Sequence, residues 1–306
     1  MAFESAPNSA NSNSARPNSD GLVLLNKPPG LTSFAALGAV KRGLGTRKVG
    51  HAGTLDKFAT GLLVVMCGRL TRLVSLVMAC PKTYTATIRF GVQTSTLDPE
   101  GEVAQTGPVP EERTLRAALP QFLGKLQQVP PDFSAIKIRG RRASDLVRAG
   151  SALRLQPRTV TVRQLELIEY QPPDLRVRLT CSKGFYVRSL ARDLGQACGS
   201  CGHVVELNRT AIGEFQVTDA VSAVGFTREH LVEPAIVVTK LPGLGRCQVA
   251  AEARQRLLNG QPPSGDFFVA PPPTEGVWAA VDQSGAVLAI LESTAGTLSY
   301  RCVLAS

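Results

Sequence analysis

The segment of this chain best suited to carry chemistry is residues 50–63, which read GHAGTLDKFATGLL. It contains one histidine, His51, and one carboxylate, Asp56, and its three glycines allow tight turns and close approach by another chain. A carboxylate can act as a nucleophile or as a general base, and loops braced by strands commonly hold such groups. A surface loop with a turn-forming aspartate accounts for the same residues, so this segment alone does not assign a function.

The composition of the chain limits the classes of partner. Its 306 residues carry 34 lysines and arginines against 24 aspartates and glutamates, a net charge of +10. Such an excess favours a polyanionic partner, either nucleic acid or an anionic membrane surface, although many basic proteins have neither. The seven cysteines are scattered through a long chain, which is typical of the reducing cytoplasm rather than of a disulfide framework.

The sequence predicts neither a membrane span nor a signal peptide. No apolar run reaches the ~18 residues that a transmembrane helix needs. No strongly amphipathic cationic helix stands out either, so we expect no membrane partner. Residues 1–20 are rich in Asn, Ser and Pro and lack a basic start and an apolar centre, which predicts a disordered tail. From about residue 241, a Pro/Gly-rich link followed by short strands predicts a small β-rich second domain.

The elements that must position the His51/Asp56 segment can be read from the apolar pattern around it. A short buried strand stops at a Pro-Pro-Gly turn, and Thr32 or Ser33 can cap the helix that follows. Further along, residues 82–90 alternate as a strand, with Tyr84 on the apolar face. On this pattern alone, Tyr84 is more simply a core tyrosine than a catalytic one.

A basic segment in the middle of the chain has two interpretations. Five cations lie between residues 137 and 148, interleaved with apolar side chains: Lys137, Arg139, Arg141, Arg142 and Arg148. They fit an exposed arm that follows phosphates along a nucleic acid, or the solvated face of a helix, equally well.

Two other groups have simple structural explanations. Arg188 lies where a strand gives way to a helix, and an arginine at such a junction usually makes a surface ion pair of little energetic weight. Cys198 and Cys201 form only half of a zinc site, and no second pair stands at a suitable spacing, so we interpret them as reduced thiols.

Five separated blocks, taken together, point to one family. They are Leu25-Asn26-Lys27-Pro28-Pro29-Gly30-Leu31-Thr32-Ser33, Gly50-His51-Ala52-Gly53-Thr54-Leu55-Asp56, Lys82-Thr83-Tyr84, Gly184-Phe185-Tyr186-Val187-Arg188-Ser189-Leu190-Ala191 and Arg209-Thr210-Ala211-Ile212-Gly213-Glu214-Phe215. In this order they resemble the TruB family of tRNA pseudouridine synthases over about residues 21–220. The end of the chain is similar, less sharply, to the PUA-like RNA-binding domain of that family.

The resemblance implies a fold and a domain organisation. The fold is α+β, the pseudouridine synthase fold, with a mainly antiparallel mixed sheet and a central cleft. The catalytic domain is expected over residues 21–238, with an inserted RNA-gripping arm at about 128–152, and a PUA-like domain over residues 239–306. The resemblance also implies that no metal and no organic cofactor takes part, and we expect a monomer.

The activity implied by the resemblance is the isomerisation of uridine 55 to pseudouridine in the T-loop of tRNA. Asp56 corresponds to the essential aspartate and Arg188 to its ion-pair partner, while Tyr84 stacks on the base and is the proposed proton acceptor at C5. The residues expected to bind substrate are His51, Tyr186, Leu207, Lys27, Lys137 and Arg209. Flipping a base out of folded RNA costs a few kcal/mol, and stacking on an aromatic ring can return ~1–3 kcal/mol.

The chain departs from the family pattern at four positions, none of which removes a catalytic group. Lys57 replaces the proline that usually follows the aspartate, and Asn208 replaces an arginine. Ser144 stands in place of an aromatic residue of the arm, and Pro120 interrupts the helix before the arm. A non-catalytic RNA-binding or tRNA-folding protein and a guide-RNA-dependent pseudouridylase are the alternative functions on the same scaffold.

Overall fold

The computed structural model describes residues 19–134, 136–138, 140–150, 155–272 and 275–304. Residues 1–18 of the predicted tail lie outside these ranges. Asp20, which the composition placed in that tail, is buried, and its carboxylate accepts a hydrogen bond of 2.6 Å from the backbone N–H of Arg69. The folded chain therefore includes Asp20.

Within the described residues, eighteen strands form one large sheet and three smaller ones. They are β1 Gly21–Lys27, β2 Val49–His51, β3 Thr60–Cys67, β4 Lys82–Phe90, β5 Val92–Thr94, β6 Val103–Thr106, β7 Gly124–Gln128, β8 Lys137–Ile138, β9 Arg141–Arg142, β10 Arg158–Gln171, β11 Asp174–Cys181, β12 Gly202–Ile212, β13 Phe215–Gln216, β14 Val221–Ser222, β15 Leu244–Gln248, β16 Gly276–Val281, β17 Val287–Thr294 and β18 Thr297–Val303.

The large sheet has ten strands in the order β14-β1-β3-β12-β4-β11-β10-β7, with β2 paired to β3 and β13 paired to β12. Only β1/β14 and β3/β12 are parallel among these pairs. The predicted fold class, α+β with a mainly antiparallel mixed sheet, is therefore confirmed.

Seven α-helices and several 3-10 turns accompany the sheets in the described part of the chain. The helices are α1 Ser33–Leu44, α2 Val74–Ala79, α3 Glu112–Ala118, α4 Ala143–Arg148, α5 Val187–Ala197, α6 Pro234–Thr239 and α7 Arg254–Leu258, and the 3-10 turns are Gly68–Leu73, Leu119–Phe122, Val217–Asp219, Arg228–His230, Ala251–Ala253 and Gly265–Phe267. Thr32 caps α1 by accepting the N–H of Ala35 at 3.1 Å. As expected from Pro120, α3 ends at Ala118 and continues as a 3-10 turn.

A seam divides the large sheet at the contact between β3 and β12. These strands share only two residue pairs, Asn208 with Thr60 and Arg209 with Gly61. Gly61 has a φ of +99°, and a Cβ there would collide with the backbone of Arg209, so the crossing requires glycine. We call β14, β1, β3 and β2 the first half of the sheet, and β12, β4, β11, β10, β7 and β13 the second half. Leu207 and Arg209 of β12, next to this seam, line the cavity described below.

The small C-terminal sheet packs against the first half. It has the order β15-β16-β17-β18, with the first pair parallel and the others antiparallel. Val277, Ala279 and Ile290 of this sheet share one apolar core with Leu22 and Leu62 of the first half. The β-rich C-terminal unit agrees with the sequence, and its PUA-like character stays a prediction.

The basic segment forms a hairpin followed by a short helix. Lys137 and Arg142 pair across β8 and β9, so these cations do not lie on one helix face as one interpretation had it. Arg141 is exposed on the hairpin, and Arg148 is exposed on α4. Arg139 and the side chains of Lys137 and Arg142 lie outside the described structure.

Candidate active site

The loop between β2 and β3 carries Asp56, and several neighbours fix its backbone. Ser33, the first residue of α1, is buried, and its hydroxyl both accepts the N–H of Leu55 at 2.8 Å and donates to the carbonyl of Leu55 at 3.0 Å. On the other side of Asp56, the carbonyl of Lys57 accepts the N–H of Gly30 at 2.8 Å. The aspartate is thus fixed between two hydrogen-bonded neighbours.

Lys27 supports the same loop from below. Its side chain is completely buried, and its ammonium group donates to the carbonyls of Pro28, Leu31 and Lys57 at 2.8 to 3.2 Å. Three N–H donors are matched by three acceptors, so Lys27, which was expected to bind substrate, has no donor left for RNA. Burial lowers its pKa to about 8, against the nearby charge of Asp56.

Arg209 has a similar role on the sheet side of the loop. It is almost completely buried in β12, and it donates to the carbonyls of Leu62, Gly53 and Thr54 at 2.8, 3.0 and 3.3 Å. The sequence resemblance gave Arg209 a substrate contact, but the structure directs these donors to the loop. A charged side chain satisfied by backbone carbonyls fixes the geometry of the chain around it.

Arg188 forms an ion pair with Asp56, the contact that the family resemblance implied. It lies in the first turn of α5 with 5% of its side chain exposed, and its Nε is 2.9 Å from Oδ2 of Asp56. One terminal nitrogen donates to Oδ1 of Asp56 at 3.1 Å and to the carbonyl of Phe133 at 3.0 Å. The pair is therefore a two-point contact at a buried guanidinium, not a surface ion pair.

Asp98 is a second carboxylate on Arg188 that the sequence did not single out. Its Oδ2 is 3.3 Å from Nη1 of Arg188, and its side chain is 6% exposed. Oδ1 accepts hydrogen bonds from the hydroxyl of Thr96 at 2.5 Å and from the N–H of Glu100 at 3.0 Å. Asp98 belongs to an Asp-Pro-Glu-Gly turn, and a turn aspartate of this type carries no local signal for an active site.

The charge state of Asp56 reflects opposing effects. Burial raises the pKa of its carboxyl group and Asp98 adds to that, whereas the ion pair with Arg188 and the charge of Lys27 lower it. A third of the side-chain surface remains exposed, 34%, and this part faces the cavity. The result is an accessible carboxylate whose pKa lies above the ordinary value.

A cavity of about 400 Å³ brings most of the predicted residues together. Its lining includes Asp56, Tyr84, Tyr186, Arg188, Leu207 and Arg209. Burial raises the pKa of Tyr84, so the phenol is neutral at neutral pH. Lys27 and His51 are not among the residues that line this cavity, and the side chain of Lys137 is not described. Within the described residues, no cluster of His, Cys, Asp and Glu has the geometry to hold a metal ion.

Gln128 holds the backbone of Tyr186 and was also missed by the sequence. Its side-chain oxygen accepts the N–H of Tyr186 at 2.9 Å, and its side-chain nitrogen donates to the carbonyl of Tyr186 at 3.1 Å. Gln128 is buried at the end of β7, while its neighbour Gln127 is exposed. The pair of bonds fixes the residue that precedes α5 and therefore the start of the helix that carries Arg188.

His51 lies at the end of β2, where it pairs with Val65 of β3. Burial and the charge of Arg209 lower the pKa of its imidazole, so the ring is neutral at neutral pH. A neutral ring suits stacking or insertion between bases better than binding to a phosphate.

The departures from the family pattern leave the Asp56 backbone intact. The side chain of Lys57 points to solvent, where its ammonium group lies 3.7 Å from Glu100. Only the carbonyl of Lys57 is used by the loop, and an exposed ion pair of this length contributes little. Ser144 lines the cavity, and Asn208 lies at the seam against Gly61.

Solved structures share this fold. A Cbf5-Nop10-Gar1 complex contains a chain that superposes with a TM-score of 0.69 at 22% identity, over 92% of this chain and 84% of the other. The archaeal box H/ACA sRNP Nop10-Cbf5 complex gives a TM-score of 0.68 at 22% identity, over 92% and 85%. The fold is the pseudouridine synthase fold that the sequence predicted.

Comparison with known sequences shows which family with this fold the chain belongs to. Residues 41–187 match the model of the TruB family pseudouridylate synthase N-terminal domain, and residues 188–233 match the tRNA pseudouridylate synthase B C-terminal domain. A tRNA pseudouridine synthase B of Mycobacterium tuberculosis is 39% identical over 279 residues, which are 89% of this chain and 91% of the relative. This chain belongs to the TruB family.

Other relatives match over a shorter part. A tRNA pseudouridine synthase B of Treponema denticola is 45% identical over 223 residues, 66% of this chain and 62% of the relative. The chain thus spans less than two thirds of the length of that relative.

No helix among the described residues is long and apolar enough to cross a membrane.

Proposed function

We propose that this protein converts uridine 55 in the T-loop of tRNA to pseudouridine, with Asp56 as the essential group. The observation that carries the proposal is the accessible Asp56 carboxylate, held at two points by the buried Arg188 in a cavity that Tyr84 also lines. The full-length relatives at 39% identity are named tRNA pseudouridine synthase B, which supports the same reaction for this chain.

The reaction exchanges one bond of the nucleoside for another. The C1′–N1 bond breaks, the uracil turns, and a C1′–C5 bond forms, while C5 loses a proton and N1 gains one. An ionised carboxylate is needed to attack either the sugar or the base, and Arg188 favours the ionised form of Asp56. Whether the attack is on C1′ or on the base, the Asp56 side chain must be ionised.

The cavity residues divide the remaining tasks. A uridine must leave the RNA stack to reach Asp56, and the ring of Tyr84 offers a stacking surface for it. Because burial keeps the phenol of Tyr84 neutral, stacking is the role that its electrostatics favour, and a neutral phenol is a weak proton acceptor. Tyr186 and Leu207 supply the other walls, and the neutral ring of His51 is placed beside the loop.

The proposal also names the binding partner of the protein and its location in the cell. Net charge of +10 and the exposed cations Arg141 and Arg148 of the arm suit the T-arm of tRNA. Residues 239–306 are assigned as a PUA-like RNA-binding domain, and the protein acts as a monomer without metal or cofactor. The free thiols fit the cytoplasm.

The test is release of tritium from C5-labelled uridine in an unmodified tRNA transcript, measured for the wild type and for Asp56→Asn. We expect release only by the wild type, mapped to the T-loop uridine, with RNA affinity of the variant within a few-fold. Asp219→Asn, at an exposed carboxylate away from the cavity, is the matched control and is expected to behave as the wild type.

Two results would contradict the proposal. Equal loss of binding and turnover in Asp56→Asn would remove the catalytic assignment of the carboxylate. Absence of release from the wild type, with tRNA still bound, would instead indicate a binding or folding role on the same scaffold.

A further inference from the structure

The cavity that holds Asp56 has a second group of charges. Lys82, Lys183 and Arg209 line it together with Asp56 and Arg188. Lys82 comes from β4 and Lys183 from the segment between β11 and α5, and the charge of Lys183 acts on Lys82. We call the part of the cavity that these two lysines line its cationic end.

Lys82 is built into the wall of the cationic end. It is 7% exposed, and its ammonium group donates to the carbonyl of Met78 and, at 2.7 Å, to the carbonyl of Cys80. Along β4, Lys82 and Tyr84 are two residues apart, so their side chains lie on the same face of the strand. An ammonium group has three N–H donors, and these two bonds leave the third for the cavity.

The charges that act most strongly on Lys82 do not include a carboxylate. Arg209 and Lys183 disfavour its charged form, and the thiols of Cys80 and Cys181 favour it. Among the described residues, none of the three cations forms an ion pair with an acidic side chain. Burial lowers the pKa of Lys82 to about 8, which leaves it mostly charged at neutral pH.

Lys27 uses all three of its N–H donors on backbone carbonyls, whereas Lys82 keeps one donor and its charge for a group that enters the cavity, and an anion there would offset its desolvation. The uracil and the ribose of a nucleotide are neutral, and its only anionic group is the phosphodiester. Lysine suits a phosphate as a compact point charge, whereas a carbonyl of the base would not neutralise it. Lys183 is exposed beside the cavity and can approach the same group from the solvent side.

We propose that Lys82 and Lys183 form a phosphodiester subsite in this cavity, which binds a backbone phosphate next to the flipped uridine. This inference rests on the proposed function, because it takes the RNA as substrate. The subsite fixes the nucleotide at one end while Asp56 acts at the other, so it determines how deeply the uridine enters.

The test removes the charge from each side of the contact in turn. RNA hairpins with the T-loop sequence are made with a neutral methylphosphonate at the linkage 5′ or 3′ of the target uridine, and Kd is measured for the wild type and for Lys82→Met. We expect one of the two linkages to weaken wild-type binding about tenfold, and Lys82→Met to weaken binding of the unmodified hairpin about equally. Lys82→Met should bind the methylphosphonate hairpin no more weakly than it binds the unmodified hairpin, because the substitution and the neutral linkage each remove the same contact.

Two variants and one control complete the design. Lys82→Arg is expected to retain the sensitivity to the methylphosphonate, and Lys183→Gln is expected to reduce it. Lys125→Met, at an exposed lysine of β7, should leave every Kd unchanged. If thermal unfolding shows that Lys82→Met does not fold, the Kd values of the wild type and Lys183→Gln for the modified hairpins still test the phosphodiester subsite.

The outcomes separate this inference from the proposed function. Wild-type binding that is insensitive to both neutral linkages would overturn the subsite, and so would losses that multiply when the two changes are combined. Turnover is measured on the unmodified hairpin in the same samples, so wild-type inactivity there would contradict the proposed function independently of the Kd values.

Discussion

The hydroxyl of Ser33 makes two hydrogen bonds to a single residue, Leu55, which immediately precedes Asp56. One bond accepts the backbone N–H and the other donates to the carbonyl, so the hydroxyl imitates a strand partner for this residue. Ser33 begins α1, and Leu55 packs in the apolar core of the second half of the sheet. The start of a helix therefore fixes the position of the candidate catalytic carboxylate.

Ser33→Ala should lower kcat with a smaller change in KM. Both backbone groups of Leu55 lose a buried partner, which should reduce the free energy of unfolding by about 1–3 kcal/mol. Small displacements of a reacting group can lower rates by up to ~10²-fold, so a loss of kcat of at least about tenfold is expected. Ser75→Ala, at an exposed serine of α2, is the control, and equal kcat in both variants would contradict the role.

Asp98→Asn should reduce kcat without abolishing RNA binding. The asparagine oxygen can keep the bonds from Thr96 and Glu100, but its NH₂ group would face Nη1 of Arg188, donor against donor. Arg188 would lose one of two carboxylates in a buried site, a destabilisation of up to about 3 kcal/mol. Single-turnover kinetics and thermal unfolding measure both effects. Unchanged kcat would show that Asp56 alone suffices to position the guanidinium.

Gln128→Leu should impair catalysis through Tyr186. The substitution removes both side-chain bonds to the Tyr186 backbone. The N–H of Tyr186 loses its partner, at about 1–3 kcal/mol, whereas its carbonyl keeps the bond from the N–H of Leu190. Gln127→Leu is a matched control one residue away, since Gln127 is exposed and bonds only to the hydroxyl of Thr159. We expect lower kcat for the first variant only. A similar loss in both variants would assign the effect to β7 in general.

Acidification should remove activity before it removes the fold. The pKa of Asp56 is raised above the ordinary 3.8, so the acid limb of kcat/KM should lie above that value. A raised carboxyl pKa means that the folded state takes up the proton at higher pH than the unfolded state. The stabilisation from this proton is therefore present at low pH and is lost as the pH rises through the folded-state pKa.

The same linkage predicts the behaviour of Asp56→Asn, which resembles the protonated acid. The difference in Tm between the wild type and the variant should therefore change in favour of the wild type as the pH falls through the raised pKa of Asp56. A constant difference in Tm across this range would show that Asp56 does not titrate as described.

The sequence predicted the fold class and most of the cavity because the family blocks carry both. Asp56, Tyr84 and Arg188 are far apart along the chain, and neither composition nor periodicity brings them together. The apolar alternation did place Tyr84 on the inner face of β4, and the capping pattern correctly gave the start of α1. The arrangement of these three side chains in one cavity required the resemblance and the structure.

The polar groups that support the site have burial that no local sequence signal shows. Lys27 and Arg209 were expected to bind substrate from the family resemblance, and charged side chains are seldom completely buried. In the structure, their donors meet backbone carbonyls that come from distant segments. Asp98 and Gln128 resemble an ordinary turn aspartate and an ordinary strand glutamine for the same reason. Only the tertiary fold distinguishes Gln128 from Gln127.

The seam between β3 and β12 gives the ion pair a mechanical meaning. Asp56 comes from the loop between two strands of the first half, and Arg188 comes from a helix that packs on the second half. Since only two residue pairs join β3 to β12, the contact between these side chains is a non-covalent cross-link between the halves. In the proposed reaction, a uridine that engages Asp56 competes with that cross-link. The bonds from Arg209 of β12 to Gly53, Thr54 and Leu62 then remain as the link between the halves.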